Sequence, residues 1–474
     1  MGGDGPFRVA VIGRVPPTPS RSRAIAAVLL RTGLSLKIVK PREAQILLID
    51  GDEPADTPLH TPRIHLAREE WERGSFPYRG LLTQVLAHFR HDPQDPLAPY
   101  LHTGEETRLR LDLPSLAAAN FAGWEEDGHP TDEHGRYPAT ESVAHHAGLL
   151  DRPWLDELCH SLGRSLCRVA GVENPRRASR WFFCASFDID SAGMFAGRAA
   201  ARNLRAIGRD RPAALLRAIG ACIASRISLL PDPHLKLREL GEALEGLEIP
   251  ATFFLQSLKA HRLDSYGRPF SPALTRQIQS LSRSGYHDIG LHSSYATRDR
   301  EPAFLAEQWR HLRRAAKPRI KAVHRAHYLR IPHNGEYGIG PESRIVDSSM
   351  AFGEHEGFRR GTAYPFRLPN GAVEMPPSSM DTTFRYFRGL DPGEALDINR
   401  AIMARVSRTG GAFVPIWHPN QMEELMFPGW TDGVWDTIRA GKSAGARFAP
   451  LAHTARRLQR RADQYESDME TPAR

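Results

Sequence analysis

Residues 181–190 read WFFCASFDID, an apolar run that ends in two carboxylates, Asp188 and Asp190. Such a run predicts a buried β-strand with acidic side chains at its carboxyl end. The active sites of parallel α/β sheets and barrels lie at the carboxyl ends of their strands. The stretch therefore predicts an α/β fold and makes Asp188 and Asp190 candidate site residues.

Three further predicted strands also end in polar side chains. These strands are residues 288–291, 320–324 and 412–416. The polar residues at their ends are His292, Arg325 with His327, and His418. A single polar residue after a strand is often only a turn or cap residue. Four strand ends with such groups indicate one shared site instead.

Strands and helices alternate along the chain from about residue 180 onward. The predicted strands are 181–187, 251–255, 288–291, 320–324, 344–347, 372–375 and 412–416. Parallel strands joined by helices predict a distorted, incomplete TIM-like (β/α)7 barrel. We expect the barrel at 176–455, preceded by an N-terminal α/β accessory domain at 1–175 and followed by a polar tail at 456–474. The tail is expected to begin as an Arg-rich helix after about residue 452 and to end in disordered sequence.

The predicted N-terminal domain begins with a short α/β pattern. Its predicted elements are strands at 7–13, 36–39 and 46–49 and a helix at 22–32. Helical segments broken by Pro and Gly loops follow, between residues 78 and 172. The acidic, His-rich stretch at 125–146 contains His129, His134, His145 and His146. They lack the defined geometry of metal ligands and are predicted to be loop or surface residues.

Four motifs after residue 180 resemble, in their order and spacing, those of the polysaccharide deacetylases. That family is the NodB-homology group of carbohydrate esterase family four. The motifs are SFDID (186–190), HDIGLH (287–292), RAHY (325–328) and WHP (417–419). Residues 251–255 (ATFFL) are similar to the family's second strand. The resemblance covers residues 180–420, about half of the chain, and implies the NodB-homology barrel as the fold.

Other segments are similar to a divergent branch of this family. After residue 340 these are DSSM (347–350), GFRRGT (357–362), PF (365–366) and DTT (381–383). That branch carries an N-terminal extension, which residues 124–126 (WEE) and 132–136 (DEHGR) resemble.

The resemblance implies roles for individual residues. Asp188 is then the general base, and His418 protonates the leaving nitrogen. Asp190 and His292 bind a divalent metal, expected to be Zn²⁺. Arg325 keeps Asp188 charged and oriented. The implied activity is that of a hydrolase, which uses metal-activated water to remove an acetyl group from an N-acetylated sugar, either a polysaccharide or its activated or lipid-linked precursor.

The expected third metal ligand is missing from its usual place. The family has a second histidine four residues after the first, and this position is Ala296 here. His327 is the first substitute, because it stands where the family has a proline beside the site. His287 is a weaker one because it precedes its strand, and Asp381 is another. With two protein ligands alone the zinc site would be weak.

Two other functions stay open on the sequence alone. One is an amidase of the same fold that acts on a small non-sugar amide, with or without a metal; a narrow, closed pocket would favour it. The other is a non-catalytic carbohydrate-binding protein, which the lost ligand at Ala296 favours. The intact Asp188 and His418 favour an enzyme.

The composition is that of a folded protein with a basic insertion. The 474 residues carry a formal net charge of +8, and 41% are hydrophobic, enough for two or three cores. Seven arginines and one acid, Asp210, lie between residues 198 and 226, with apolar residues at helical spacing. This pattern predicts a basic helical insertion at about 192–230.

The basic insertion bears on the expected partners. It is either a solvated helix surface or a rim that attracts an anionic sugar substrate or an acidic membrane surface. A nucleic acid partner is not expected, because no reader motif accompanies the charge.

Targeting signals and cysteine pairing are not indicated. No apolar run approaches the ~20 residues of a membrane span, and residues 1–8 lack the features of a signal peptide. A cytoplasmic location is therefore expected if the numbering begins at the natural start. The cysteines, predicted to pack in cores, are Cys159, Cys167, Cys184 and Cys222.

Overall fold

The computed structural model describes most of the chain between residues 6 and 470. The segments it leaves undescribed within this range are 14–17, 59, 70, 75–76, 104–105, 174–180, 192, 196, 265–270, 317–319, 333–343 and 369–370. Residues 1–5 and 471–474 also lie outside the described residues.

The N-terminal part forms a six-stranded sheet with helices packed on it. Its strands are β1 (Phe7–Ile12), β2 (Leu36–Ile38), β3 (Ile46–Asp50), β4 (Arg63–Leu66), β5 (Leu101–Thr103) and β6 (Thr107–Leu109). Its helices are α1 (Pro19–Leu30), α2 (Tyr78–His91), α3 (Leu113–Phe121), α4 (Val143–His146) and α5 (Trp154–Val169). The strand order is β2-β1-β3-β4-β6-β5, with β5 and β6 antiparallel and the other pairs parallel. The α/β pattern predicted from residue 7 to residue 49 is thus confirmed.

The strands after residue 180 form a larger sheet and a small one. The strands are β7 (Trp181–Phe183), β8 (Ala185–Ile189), β9 (Ala251–Gln256), β10 (Asp288–Ser293), β11 (Ile320–Ala326), β12 (Val346–Asp347), β13 (Phe366–Arg367), β14 (Val373–Glu374), β15 (Ser379–Met380), β16 (Gly411–Phe413), β17 (Pro415–Trp417) and β18 (Arg447–Phe448). Nine of them are ordered β13-β14-β12-β11-β10-β9-β8-β17-β15, and only the edge pair β13–β14 is antiparallel.

Helices connect the strands of the larger sheet. They are α6 (Arg198–Asp210), α7 (Leu215–Arg226), α8 (Leu237–Gly246), α9 (Pro272–Ser284), α10 (Pro302–Ala316), α11 (Pro392–Thr409), α12 (Trp430–Ser443) and α13 (Leu451–Glu470). Helices α6 and α7 lie within the segment of the predicted insertion. Within the described residues, no helix is both long and apolar enough to cross a membrane.

Two of the strands pass from a small second sheet into the large sheet. Strand β7 pairs with β16 on one side and with β18 on the other, whereas the continuations β8 and β17 pair in the large sheet. The change of sheet occurs at Cys184, whose N–H donates to the carbonyl of Phe413 at 2.9 Å. At this point the two strands leave the small sheet and enter the large, curled sheet.

The fold is therefore mixed α/β with a curled, mostly parallel sheet, as expected. Among the strands that the structure describes, β13 and β15 form the two edges, and no pairing closes the sheet between them. The predicted count of seven strands in a barrel stays a prediction, as does the division into domains. All four cysteines are buried and free, which fits the predicted packing role.

Residues 456–470 are helical, so the Arg-rich helix predicted at the start of the tail extends to residue 470. These residues belong to α13, which packs against α1 of the N-terminal sheet. Ala462 and Tyr465 are buried in this contact, at 6% and 4% exposure. The end of the helix is hard to predict from the sequence, because its apolar positions form only a narrow stripe among many charged residues.

Several helices begin where the sequence supplies an N-cap followed by proline. The Asp112 side chain accepts a hydrogen bond from the Ser115 N–H before α3, and Ser271 accepts one from the Leu274 N–H before α9. Asp391 and Glu394 form a reciprocal capping box at the start of α11. Such caps contribute on the order of 1 kcal/mol each to the stability of their helices.

The motif containing Glu126 and the motif containing Arg359 and Arg360 pair in the interior. Glu126 Oε2 lies 2.7 Å from Nη2 of Arg359, and Oε1 lies 2.7 Å from Nη1 of Arg360. All three side chains are at most 1% exposed. The N-terminal part therefore holds the segment after β12 through a buried carboxylate shared by two arginines.

We expect the variant Glu126→Gln to lose about 3–5 kcal/mol of unfolding free energy, because it removes one partner of a buried ion pair. Urea unfolding followed by circular dichroism measures the change. Glu133→Gln is the control, because its side chain is 88% exposed. Equal unfolding midpoints for the two variants would show that the buried pair does not hold the two parts together.

Candidate active site

The predicted site residues come together at the carboxyl end of the large sheet. Asp188 lies in β8, Asp190 directly after it, His292 in β10, Arg325 in β11, and His327 and His418 directly after β11 and β17. Five of these residues line one cavity of about 340 Å³, namely Asp188, Asp190, His292, His327 and His418. Arg325 is fully buried, at 0% exposure, and contacts Asp188.

Asp190, His292 and His327 form a compact group of potential metal ligands. Oδ1 of Asp190 lies 3.0 Å from Nε2 of His292 and 3.6 Å from Nε2 of His327. One ligand atom from each residue lies within 4.8 Å of the other two. Tetrahedral ligands about 2.0–2.1 Å from a zinc ion are about 3.3 Å apart, so these separations fit such an ion.

The hydrogen bonds of the two imidazoles also suit metal binding. His292 donates from Nδ1 to the carbonyl oxygen of Arg325 at 2.9 Å. His327 donates from Nδ1 to Oδ1 of Asp264 at 3.3 Å. Metal-binding histidines have this arrangement, because the second nitrogen fixes the tautomer and aims Nε2 at the ion. Oδ1 of Asp190 is buried and makes no hydrogen bond to a described residue, so it can serve as the third ligand.

Several hydrogen bonds fix the Asp264 carboxylate that contacts His327. Its Oδ1 accepts the N–H of Tyr295, and its Oδ2 accepts the hydroxyl of Ser294 at 2.6 Å and the N–H groups of Ala260 and His261. Although burial opposes it, these bonds and the one from His327 hold the pKa of Asp264 far below its ordinary value. His327 therefore has a rigid, negatively charged partner behind it.

Asp188 is held by the guanidinium of Arg325. Oδ1 of Asp188 lies 2.8 Å from Nη1 of Arg325, which also donates to the Ser186 hydroxyl. Arg325 donates further to the carbonyl and the hydroxyl of Ser348, and lies over the ring of Phe254 at 4.3 Å. Oδ2 of Asp188 lies 3.9 Å from Nε2 of His292. The second oxygen of Asp188 therefore faces the ligand group.

The DSSM motif (347–350) contains Ser348, which accepts hydrogen bonds from Arg325, and the motif is itself held by buried carboxylates. Asp347 accepts hydrogen bonds from the N–H of Ser348, the hydroxyl of Ser349 and Nδ1 of His324. Glu374 accepts the N–H groups of Ser349 and Met350. Burial and the neighbouring Asp347 raise the pKa of Glu374 well above its ordinary value. These contacts fix the loop that receives Arg325.

His418 is oriented by Asp381, which contacts both its ring and its backbone. Nδ1 of His418 donates to Oδ1 of Asp381 at 2.6 Å, and the backbone N–H of His418 donates to Oδ2 at 2.6 Å. Nε2 of His418 lies 3.4 Å from Oδ2 of Asp190. The ring therefore presents Nε2 to the cavity beside the ligand group.

The carboxylates make this end of the sheet attractive for positive charge. Burial alone would lower the pKa of His418, but Asp381 and Asp190 outweigh it and raise the pKa to about 10. For His327 burial is likewise outweighed, by Asp190 and Asp264, and the pKa rises to about 9. Burial would raise the pKa of Asp190, yet the histidines His327 and His418 hold it well below its ordinary value. The site thus stabilises cations, either protons or a metal.

An unusual backbone turn places His327 at the cavity. Tyr328 and Leu329 have φ angles of 62° and 55°, in the left-handed region that residues with side chains rarely adopt. Each such residue costs on the order of 1–3 kcal/mol and persists where the surroundings enforce it. Here the Tyr328 carbonyl accepts a hydrogen bond from Arg136 at 3.1 Å. The N-terminal part thus helps to hold the turn that carries His327.

Two alternative ligands from the sequence lie elsewhere or do something else. His287 is buried at the opposite end of β10, where Nδ1 accepts the N–H of Ala251 and Nε2 donates to the carbonyl of Gly241. Asp381 is bound to His418 and is not in the ligand group. Ala296 lies in the turn Tyr295–Asp299 and offers no ligand atom.

Sequence reasoning missed several residues of the cavity. Asp264 lies in a loop without a recognisable motif. His134 was predicted to be a loop or surface residue, yet it lines the cavity with Arg136 from the same N-terminal motif. Two exposed aromatic residues, Tyr386 and Phe387, line it as well, at 61% and 53% exposure. The resemblance of residues 132–136 to the family's extension was the one signal for the N-terminal contribution.

One other group of potential metal ligands among the described residues has ligand atoms within 4.8 Å of one another. It consists of Glu53, His65 and Glu106 near the edge of the N-terminal sheet. Arg63 pairs with Glu53, and Arg108 lies 2.6 Å from Glu106. These arginines already neutralise both carboxylates and repel a cation, so the group is a weaker metal site.

Comparisons with known proteins identify little of the chain. Residues 61–170 match the family described as "Family of unknown function (DUF7033)". A solved structure described as a "putative polysaccharide deacetylase from Mycobacterium smegmatis" is 19% identical, with a TM-score of 0.39, and the similarity covers 60% of this chain and 92% of that chain. No curated protein shows significant sequence similarity to the chain.

Proposed function

We propose that this protein is a metal-dependent hydrolase that removes the acetyl group from an N-acetylated sugar. One observation carries the proposal: Asp190, His292 and His327 place three ligand atoms within 4.8 Å of one another beside Asp188 and His418. The group therefore combines a cation site with a candidate base and a candidate acid. The substrate class rests on the motif resemblance and on the character of the cavity.

Asp190, His292 and His327 are the residues that would hold the metal. A divalent ion bound there supplies Lewis-acid polarisation of the amide carbonyl and a lowered pKa for a bound water. Three protein ligands with further positions left open are typical of catalytic zinc sites. His327 thus takes the place of the ligand that Ala296 cannot provide.

Asp188 is placed to act as the general base. Its Oδ1 is fixed by Arg325 at 2.8 Å, and its Oδ2 faces the ligand group, 3.9 Å from Nε2 of His292. A water between Oδ2 and the amide carbon of the substrate gives up its proton to Asp188 as it attacks. A base fixed by a buried guanidinium loses little orientation freedom, which favours proton transfer.

His418 is placed to act as the general acid. Its protonated Nε2 faces the cavity, and Asp381 holds Nδ1–H so that the ring cannot rotate. When the carbon–nitrogen bond of the amide breaks, Nε2 donates its proton to the leaving amine. Although burial opposes it, Asp381 raises the pKa of His418 and so favours the protonated ring.

The cavity walls suit a sugar ring. Tyr328, Tyr386 and Phe387 line the cavity with aromatic rings, which offer flat apolar faces to the C–H face of a pyranose. The volume of about 340 Å³ is at the small end of ligand pockets. This small volume also suits the second candidate, an amidase that acts on a small non-sugar amide.

Acetate release from a panel of substrates tests the proposal. The purified protein, supplied with Zn²⁺, is assayed with N-acetylglucosamine, its oligomers and a series of small N-acetyl amines. Release from the sugars alone supports the proposal, and release from the simple amides alone supports the amidase. No release from either group, with zinc shown to be bound, would contradict both.

Asp381 is a positioning residue, and its replacement separates orientation from metal binding. We expect Asp381→Asn to lower kcat by about 10²-fold, because His418 loses the partner that fixes its acid form. KM and metal content stay unchanged, since Asp381 contacts neither the ligand group nor the acyl position. Steady-state kinetics with metal analysis measures this. A loss of metal, or a change in KM alone, would contradict the assignment.

A further inference from the structure

A helical hairpin near the cavity presents large apolar side chains to solvent. The hairpin consists of α6, α7 and residues 227–230. Its exposed apolar residues are Leu216 (83% exposed), Ile219 (38%), Ile223 (57%), Ile227 (67%), Leu229 (72%) and Leu230 (56%). The other exposed large apolar residues of the described chain are Leu247, Tyr286, Tyr386 and Phe387. Such a concentration of apolar surface marks a contact site.

Helix α7 is oriented with its small residues inward and its large ones outward. Ala214, just before the helix, with Ala218 and Cys222, is buried against α6. At about 100° per residue, Leu216, Ile219, Ile223 and Ile227 form a stripe roughly 80° wide on the other side of the helix. A helix that served only as a cover for the core would show the opposite order. The stripe therefore faces something outside the described chain.

Positive charge surrounds the apolar stripe. Arg217 and Arg226 lie on its two sides along α7, and Arg205 is exposed on α6. These three arginines make no ion pair with another described residue, and Asp210, the hairpin's acid, is paired with Arg209 at 2.7 Å. A helix with an apolar face and flanking cations is typical of binding to anionic lipid surfaces.

We propose that the α6–α7 hairpin docks on an anionic phospholipid bilayer. The apolar stripe would enter the interface between head groups and acyl chains, and the arginines would contact the lipid phosphates. A second copy of this chain fits less well, because a symmetric pair would bring the same arginines together. This inference does not depend on the reaction proposed above.

The hairpin lies beside the mouth of the cavity. Arg211 donates to the carbonyls of Glu424 and Leu425, and Met426 packs against both the hairpin core and the cluster that contains Phe427. Arg385 lies over the Phe427 ring at 3.6 Å, next to the cavity residue Tyr386. Docking would therefore bring the cavity close to the lipid surface.

Vesicle co-sedimentation of the full chain tests the proposal. Wild type is compared with Leu216→Ser/Ile223→Ser and with Arg205→Gln/Arg217→Gln, on phosphatidylcholine vesicles with and without phosphatidylglycerol. The control is Leu247→Ser, at an exposed apolar position outside the hairpin. Thermal unfolding verifies that each variant is folded, which we expect because the changed positions are exposed.

We expect wild type and the control to bind anionic vesicles. Binding is expected to fall about tenfold in both double variants, and added salt is expected to reduce the binding of wild type. No binding of wild type to anionic vesicles overturns the proposal, as does equal binding of all variants. Light scattering after size exclusion distinguishes the other occupant: a dimer that Leu216→Ser/Ile223→Ser dissociates, without vesicle binding, would assign the stripe to a second copy.

Discussion

The variant Asp188→Asn is expected to lose about 10³-fold in kcat while keeping its metal and its fold. General base catalysis typically contributes 10²–10⁴-fold, and Asn cannot accept the proton of the attacking water. Asn retains an oxygen that can accept from Arg325, and the guanidinium also keeps its bonds to Ser186 and Ser348. Glu126, in contrast, is the carboxylate partner of two buried arginines. Acetate release under saturating substrate measures kcat, and elemental analysis measures the metal.

A matched change on the same face of the site gives the control. Ser191 lines the cavity but lies outside the ligand group and does not contact Asp188 in the described structure. We expect Ser191→Ala to stay within about threefold of wild type, since it removes no reacting group. Activity of Asp188→Asn within tenfold of wild type would contradict the role of Asp188 as base.

The variant His327→Ala is expected to lose the metal, and Asp264→Asn is expected to bind the metal more weakly. His327 supplies the third ligand atom, 3.6 Å from Oδ1 of Asp190, whereas Asp264 only orients His327. Loss of such an outer partner typically costs about 10–100-fold in metal affinity, and we expect loss of the ligand to cost more. Competition titration with a fluorescent zinc chelator measures both affinities.

The order of these effects is the informative result. A larger loss for His327→Ala than for Asp264→Asn supports direct ligation. Equal affinities for His327→Ala and wild type would show that His327 is not a ligand, and the third position would then have to come from water or substrate. His287→Ala is the control, because His287 lies at the far end of its strand and is expected to leave the affinity unchanged.

The strand ends could be predicted because each apolar run in the sequence stops at the polar residue that ends the buried strand. The apolar run before Asp188 and the one before His418 are buried strands, and both lie in the parallel sheet as expected. The two-residue strands β12 and β14 were also within predicted segments. A local pattern suffices here, because each strand is enclosed by helices and other strands and is therefore apolar along its length.

Long-range pairing was not predictable in the same way. Asp381 and His418 are 37 residues apart, and Asp264 and His327 are 63 residues apart. Each pair forms because two loops meet above the sheet, and the sequence alone does not show which loops meet. Asp381 was therefore considered as a ligand when it is the partner of His418.

The N-terminal contribution was hidden for a related reason. His134 and Arg136 reach the cavity because Asp132 fixes their loop, with three hydrogen bonds to its carboxylate from His134 and Arg136. Arg330 then donates to the His134 carbonyl at 2.8 Å. These contacts depend on how two parts of the chain pack, which periodicity does not encode. The start of α13 was predicted, but its full length was not, because its charged residues outnumber its buried ones.

The metal content of the purified wild-type protein tests the central claim most directly. Elemental analysis after zinc reconstitution and removal of free metal is compared with Asp190→Ala and with His65→Ala, which changes the other potential ligand group. The account predicts about one zinc per chain in wild type and in His65→Ala, and almost none in Asp190→Ala. Absence of metal in wild type, or its retention in Asp190→Ala with loss in His65→Ala, would contradict the account.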